Sequence, residues 1–139
     1  MDLPSSVILS TISRGDILHS EFEGVDHGKF FVIMGISNDS ICGFFFINSN
    51  INRYIFQKTE FLALQYQLRH TEYSFLKHDS FVCASNVKRM PLATLSEGIS
   101  KGEIEIIDRL REEHVKDILE MVRNSKVINK RDKLLFFQD

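Results

Sequence analysis

Apolar residues in this chain follow a two-residue period over its first two thirds and a helical period near its end. Residues 17–22 alternate, with Ile17, His19 and Glu21 facing one way and Leu18, Ser20 and Phe22 the other, which predicts a first strand. Before it, Val7, Leu9 and Ile12 alternate loosely and suggest a short arm or a helical turn. Two glycines and an aspartate between 24 and 28 predict a loop. Residues 30–36 then form a continuous apolar run, consistent with a strand covered on both faces. Ser37-Asn38-Asp39-Ser40 is a turn cluster, and 41–47 returns as the partner strand, so 30–47 reads as a hairpin.

Beyond it, the polar stretch 48–52 breaks the pattern, and 55–66 fits a helix or an irregular strand equally well. Residues 73–76 and 80–84 predict further strands, and 85–90 runs extended into Pro91. Leu92 to Leu95 and the glycines at 98 and 102 lead into the Glu103-Ile104-Glu105-Ile106 alternation. From Asp108 the spacing turns helical, placing Leu110, His114, Ile118, Met121 and Val122 near one face with Asp108 as N-cap. Residues 134–137 form a last apolar patch, a late strand or a dimer contact. Short strands followed by one amphipathic helix imply an α+β domain, an antiparallel sheet curling into a small barrel with the helix packed against it.

The length of 139 residues suits a single domain with a real core. The 43% hydrophobic and 26% charged content argues against the disordered and membrane classes, and no apolar run is long enough to cross a bilayer. No secretory signal is evident at the start, so a cytoplasmic location without membrane association is expected. Cys42 and Cys83 sit in apolar, strand-like surroundings and read as small buried hydrophobes; no metal site or cofactor is expected. The net charge of −2 gives no global basic field. The middle of the chain concentrates cations, at Arg53, Lys58, Arg69, Lys77, Lys88 and Arg89, which could equally be solvated surface.

Arg14-Gly15-Asp16-Ile17, then Gly24-Val25-Asp26-His27-Gly28-Lys29, then the apolar run 30–36 resembles the amino-terminal half of the PemK/MazF toxin family. A second stretch, Ser80 through Leu92 followed by Leu95, Gly98 and the helix over 108–123, is similar to that family's later strands and carboxy-terminal helix. The resemblance implies a small SH3-like barrel that pairs as a homodimer, binds an antitoxin-like protein and cleaves single-stranded RNA without a metal. In the family an arginine, usually followed by proline, opens the second strand, and a threonine or serine ends the third. Cleavage through the ribose 2′-hydroxyl needs proton transfer and a fixed cation beside the developing charge.

This chain departs from that pattern, reading Phe30-Phe31 where Arg-Pro is expected, with Lys29 and His27 just before and Asn48 and Ser49 at the end of the third strand. The resemblance therefore points to His27, Lys29 and Ser49 as a rebuilt catalytic set. The adjacent cations Lys88 and Arg89, with Arg53, are the candidate RNA contacts. The alternative is a catalytically silent binding module that uses the same barrel to hold a protein partner.

Overall fold

The computed structural model describes residues 11–22, 27–38 and 40–138. Seven strands form one antiparallel sheet: β1 (Asp16–Ser20), β2 (Lys29–Ser37), β3 (Ile41–Asn48), β4 (Gln65–Leu68), β5 (Ser80–Cys83), β6 (Lys88–Pro91) and β7 (Ile104–Arg109). The helices that lie wholly among the described residues are α1 (Arg53–Phe56), α2 (Thr59–Leu62), α3 (Leu92–Ser100), α4 (Glu112–Asn124) and α5 (Lys130–Phe136). Strand order is β4-β5-β3-β2-β1-β7, and β6 shares the outer side of β3 with β5. β6 covers Ile41 to Phe44, and β5 covers Ile47 and Asn48. The α+β class expected from the pattern holds. Closure does not, because the sheet ends at β4 and β7 and the predicted barrel is an open sheet.

The hairpin is where the sequence placed it. Its turn sets Asn38 at φ 46°, a left-handed conformation that asparagine tolerates well. As the unbroken apolar run required, β2 is buried on both faces. Val32 and Met34 join Ile17, Phe45 and Ile47 in a core under α4 and α5, with Ile118, Val122, Phe136 and Phe137. Phe31 and Ile33 join Leu18, Cys42 and Phe44 on the other side, under Leu92 and Leu95 of α3. Burial of the Cys42 thiol pushes its pKa up to about 12, as expected of an inert packing residue.

Several elements differ from expectation. Residues 55–66 hold the second half of α1, all of α2 and the start of β4, and 73–76 are turn rather than strand. The 92–95 segment opens a full helix, because Pro91 sits at its N-cap with φ −59° and Leu92 and Leu95 recur at helical spacing. Asp108 belongs to β7, so the long helix starts at Glu112, with Glu112 and Glu113 in its first turn and Arg123 in its last. The 134–137 patch is the end of a helix whose Phe136 and Phe137 are core, leaving Leu134 exposed.

Arg14-Gly15-Asp16 serves the fold. Gly15 takes φ +97°, and the Asp16 carboxylate accepts the Ser13 N–H at 2.8 Å. Arg14 donates from Nε to the Met34 carbonyl at 2.6 Å and from Nη2 to the carbonyls of Phe136 and Gln138 at 3.0 and 2.6 Å. The guanidinium thus fastens the carboxy-terminal helix to β2. That helix lies directly on a cross-strand glycine pair, Gly35 and Gly43, with Phe136 against both.

Candidate functional site

The hairpin register brings the start of β2 to the end of β3. Phe30 pairs with Ile47, and one step further out Lys29 Nζ donates to Asn48 Oδ1 at 2.5 Å. Lys29, Phe46 and Asn48 alternate onto the same side of the sheet. Lys88 joins them from β6, which pairs it with Phe44. The two ammonium groups lie over one ring: Lys29 Nζ is 5.4 Å and Lys88 Nζ 5.8 Å from the Phe46 centroid. Phe46 is in turn edge-on to Phe22 and Phe44, which fixes its plane.

This arrangement walls a cavity of about 470 Å³, which Tyr54, Lys58 and Phe61 complete from α1, α2 and the residue between them. Lys58 Nζ stands 4.9 Å from the Phe61 centroid, and Tyr54 is 74% exposed at the rim. Asn52 caps α1 by accepting the Tyr54 N–H at 2.8 Å, so the polar break after β3 is what holds the aromatic rim in place.

On its other side Lys29 lines a second cavity of about 440 Å³, together with Asn48. His27 and Ser49 line this second cavity, and so do His19, Lys77 and His78. Three residues nominated from sequence, His27, Lys29 and Ser49, therefore share one cavity, and a fourth, Lys88, shares the neighbouring one with Lys29. The side chain that reaches Lys29 is that of Asn48.

Arg89 and Arg53 stand elsewhere. Successive residues of a strand point to opposite faces, so Arg89, beside Lys88 in sequence, crosses to the other side of the sheet. There it pairs with Asp132 and lies 5.4 Å from the Phe136 ring centroid. Arg53 is exposed at the start of α1 and lines neither cavity. Sequence reasoning counted Lys58 and Lys77 among the mid-chain cations without assigning them to a site, and it missed Phe46 and Tyr54 on one side and His78 on the other. Phe46 was findable, since it is two residues before Asn48 on the same strand. The others depend on how the irregular 49–64 and 69–79 segments fold back.

His114 is satisfied within the fold, as its place on an amphipathic helix suggested. Its Nδ1 is 2.6 Å from the Tyr73 hydroxyl, which also accepts the Arg111 N–H at 3.0 Å. Among the described residues Glu72, Glu113 and His114 come close enough to share a cation. The Arg111 guanidinium already supplies that charge, donating to Glu72 at 2.8 Å. Burial raises the pKa of Tyr73 and, with the Asp117 hydrogen bond at 2.7 Å, that of Tyr66, so both phenols stay protonated.

No helix among the described residues is long and apolar enough to cross a membrane. No protein-family profile matches this chain, and no curated protein matches it in sequence.

Proposed function

We propose that this protein acts on single-stranded RNA, as a PemK/MazF-like domain with an opened barrel in which lysine replaces the phosphate-holding arginine. The observation that carries this reading is the 2.5 Å contact from Lys29 to Asn48, made where the two cavities meet. A cation at the start of the second strand and a polar side chain at the end of the third come together where the resemblance sets its phosphate-handling pair. Phe46 and the rim Tyr54 add rings on which bases can stack, a contact worth about 1–3 kcal/mol per base. The cations beside them give the backbone its counter-charge.

In the reaction, a base removes the 2′-hydroxyl proton while that oxygen attacks phosphorus. The P–O5′ bond breaks, and the departing oxygen takes a proton. The products are a 2′,3′-cyclic phosphate and a 5′-hydroxyl. Lys29 stabilises the crowded phosphorus as a point charge, a weaker arrangement than the bidentate fork of arginine. His27 lines the shared cavity and takes the proton-transfer role, and Ser49 lines it too.

The test is cleavage of a single-stranded RNA in EDTA with end-group analysis. Wild type leaves cyclic phosphate ends, and Lys29→Ala loses about 10²–10³ in rate. Undiminished cleavage by Lys29→Ala would overturn the site. The lysine substitution itself favours one second reading, a silent module. In that case RNA stays intact but is bound, or a protein ligand takes the aromatic rim.

A further inference from the structure

We propose that the cavity walled by His19, His27 and His78 is an oxyanion subsite whose affinity is set by imidazole protonation, and that its natural occupant is one phosphodiester of the bound strand. The naming of a phosphodiester rests on the RNA reading above; the anion subsite itself does not.

The lining is unusual for an acidic chain. The protein carries 19 acidic and 17 basic residues, yet the described residues around this cavity include Lys29, Lys77 and three of the five histidines, and no carboxylate. The five basic side chains come from three parts of the fold: His19 from β1, His27 and Lys29 from the entry to β2, and Lys77 and His78 from the turn before β5. From the end of β3 come Asn48 and Ser49, which are neutral donors. Two acids near these residues in sequence, both among the described residues, are placed elsewhere. Asp79 accepts from the His70 N–H and lies 2.7 Å from its Nδ1, which holds the Asp79 carboxyl below the usual range. Glu21 lines a different cavity, toward α3, which His19 also borders and which holds Glu105, the cross-strand partner of His19.

The walls are also positioned by packing. The His19 ring lies against Gly28 so closely that a Cβ there would stand 2.3 Å from Cε1, and it packs on Phe30 at 4.8 Å between centroids. Phe75 packs on the other partner position of Phe30, also at 4.8 Å, and Ser80 Oγ donates to the His78 carbonyl at 3.1 Å. The turn that carries Lys77 and His78 is thereby tied to β2. A neutral imidazole offers one N–H, whereas an imidazolium offers two and a charge. An anion held here therefore raises the pKa of the histidines around it, and by linkage binds more tightly as pH falls through their range. Because Lys29 and Asn48 line both cavities, a strand whose bases lie over Phe46 and Tyr54 passes a phosphate into this one.

The experiment follows the imidazole Cε1–H resonances over pH 5 to 8.5 in sodium sulfate and in sodium chloride at equal ionic strength. Sulfate keeps a constant charge across that range. The expected result is that His27 and His78 each titrate about one unit higher in saturating sulfate, about tenfold in affinity apiece and so about a hundredfold together below their pKa relative to above it. His70 and His114, outside the cavity, do not move. His27→Gln/His78→Gln, two exposed positions, removes most of the pH dependence of sulfate affinity, and what is left belongs to His19, while Lys29 keeps a residual site. Equal shifts in all histidines, or none in any, overturn the subsite.

A parallel titration with a short single-stranded RNA separates the two proposals. Sulfate shifts without RNA binding leave the subsite standing and remove its phosphodiester assignment. RNA binding with no sulfate shift and no pH dependence removes the subsite alone.

Discussion

Replacing Gly35 with alanine places one methyl group where the carboxy-terminal helix rests on the sheet. That carbon would stand 2.1 Å from the Phe136 carbonyl oxygen and 2.6 Å from its Cα. A tolerable carbon–oxygen approach is about 3.3–3.6 Å, so α5 must retreat by roughly 1 Å. The obstacle is backbone, and no rotamer change relieves it. Overpacking of this kind costs about 1–3 kcal/mol. The same retreat stretches the hydrogen bonds from Arg14 to Phe136 and Gln138, a charge-assisted contribution of about 1.5–3 kcal/mol. One displacement causes both losses, so they do not simply add. We expect a loss of about 3 kcal/mol, or a fall in Tm of roughly 10 °C for a chain of this size. Urea denaturation with an unchanged m-value would measure it. Gly102→Ala is the control, since its methyl meets nothing within 4 Å and only its φ of +77° is strained, at a cost of about 1–2 kcal/mol. A second comparison sharpens the argument. At Gly43 the added methyl meets the Phe136 ring, 2.4 Å from Cγ, so Phe136→Ala should relieve Gly43→Ala but not Gly35→Ala. If Gly35→Ala costs no more than Gly102→Ala, the helix is not seated on this glycine pair and the account of the fold's closing contact is wrong.

Two further outcomes are expected. In RNA binding measured against salt, Lys88→Ala should flatten the log–log slope by about 0.7, the share of one phosphate contact on a single strand. Arg89→Ala should leave the slope alone and instead lower stability by about 1–3 kcal/mol, because it strips the partner from the nearly buried Asp132; equal slopes for both variants would contradict the placement of these side chains on opposite faces. Stability should also fall in alkali. Cys42, Tyr66 and Tyr73 all have folded-state pKa values raised above their unfolded values of 9.0 and 10.0. The folded protein therefore holds the protons more tightly, the stabilisation is complete below pH 9, and it is lost as pH climbs from there through the raised values. Urea midpoints at pH 8, 9, 10 and 11 test this, and a flat profile above pH 9 would refute it.

What was legible in the sequence was what local pattern dictates. The uninterrupted run at 30–36 announced a strand covered twice, and Phe31 and Val32 do point into two different cores. The turn at 37–40 and the return strand followed from the same pattern. Three features were not legible because they are decided by partners distant in the chain. Residues 134–137 read as a late strand or a dimer contact, yet they end a helix whose Phe136 and Phe137 are buried, Phe136 against a glycine pair some ninety to a hundred positions earlier. Asp108 had every mark of an N-cap, but pairing with Ile17 keeps it in a strand, and the helix starts after Arg111. Sheet closure could not be read either, since no local signal says whether the edge strands β4 and β7 meet or stay apart.

The candidate site turns on one residue of register. Counting back from the turn, Ser37 pairs with Ile41, Ile36 with Cys42 and Gly35 with Gly43. Carried on unbroken, that ladder would set Lys29 opposite Ser49, the pair that a regular hairpin suggests. It is broken between Ile33 and Gly35, where one additional residue on β2 passes without a partner, and from there Ile33 pairs with Phe44 and Phe30 with Ile47. A shift of one residue exchanges the two faces of a strand. Here it brings Lys29 to Asn48 and onto the side occupied by Phe46 and Lys88. Arg14 donates to the Met34 carbonyl, within the irregular step itself. The Arg14-Gly15-Asp16 stretch, which carries part of the family likeness, therefore supports the site from a distance: its arginine holds the bulge that aligns the lysine. In physical terms the cation cleft is a consequence of the bulge, and the bulge is held by a residue that contacts neither cavity.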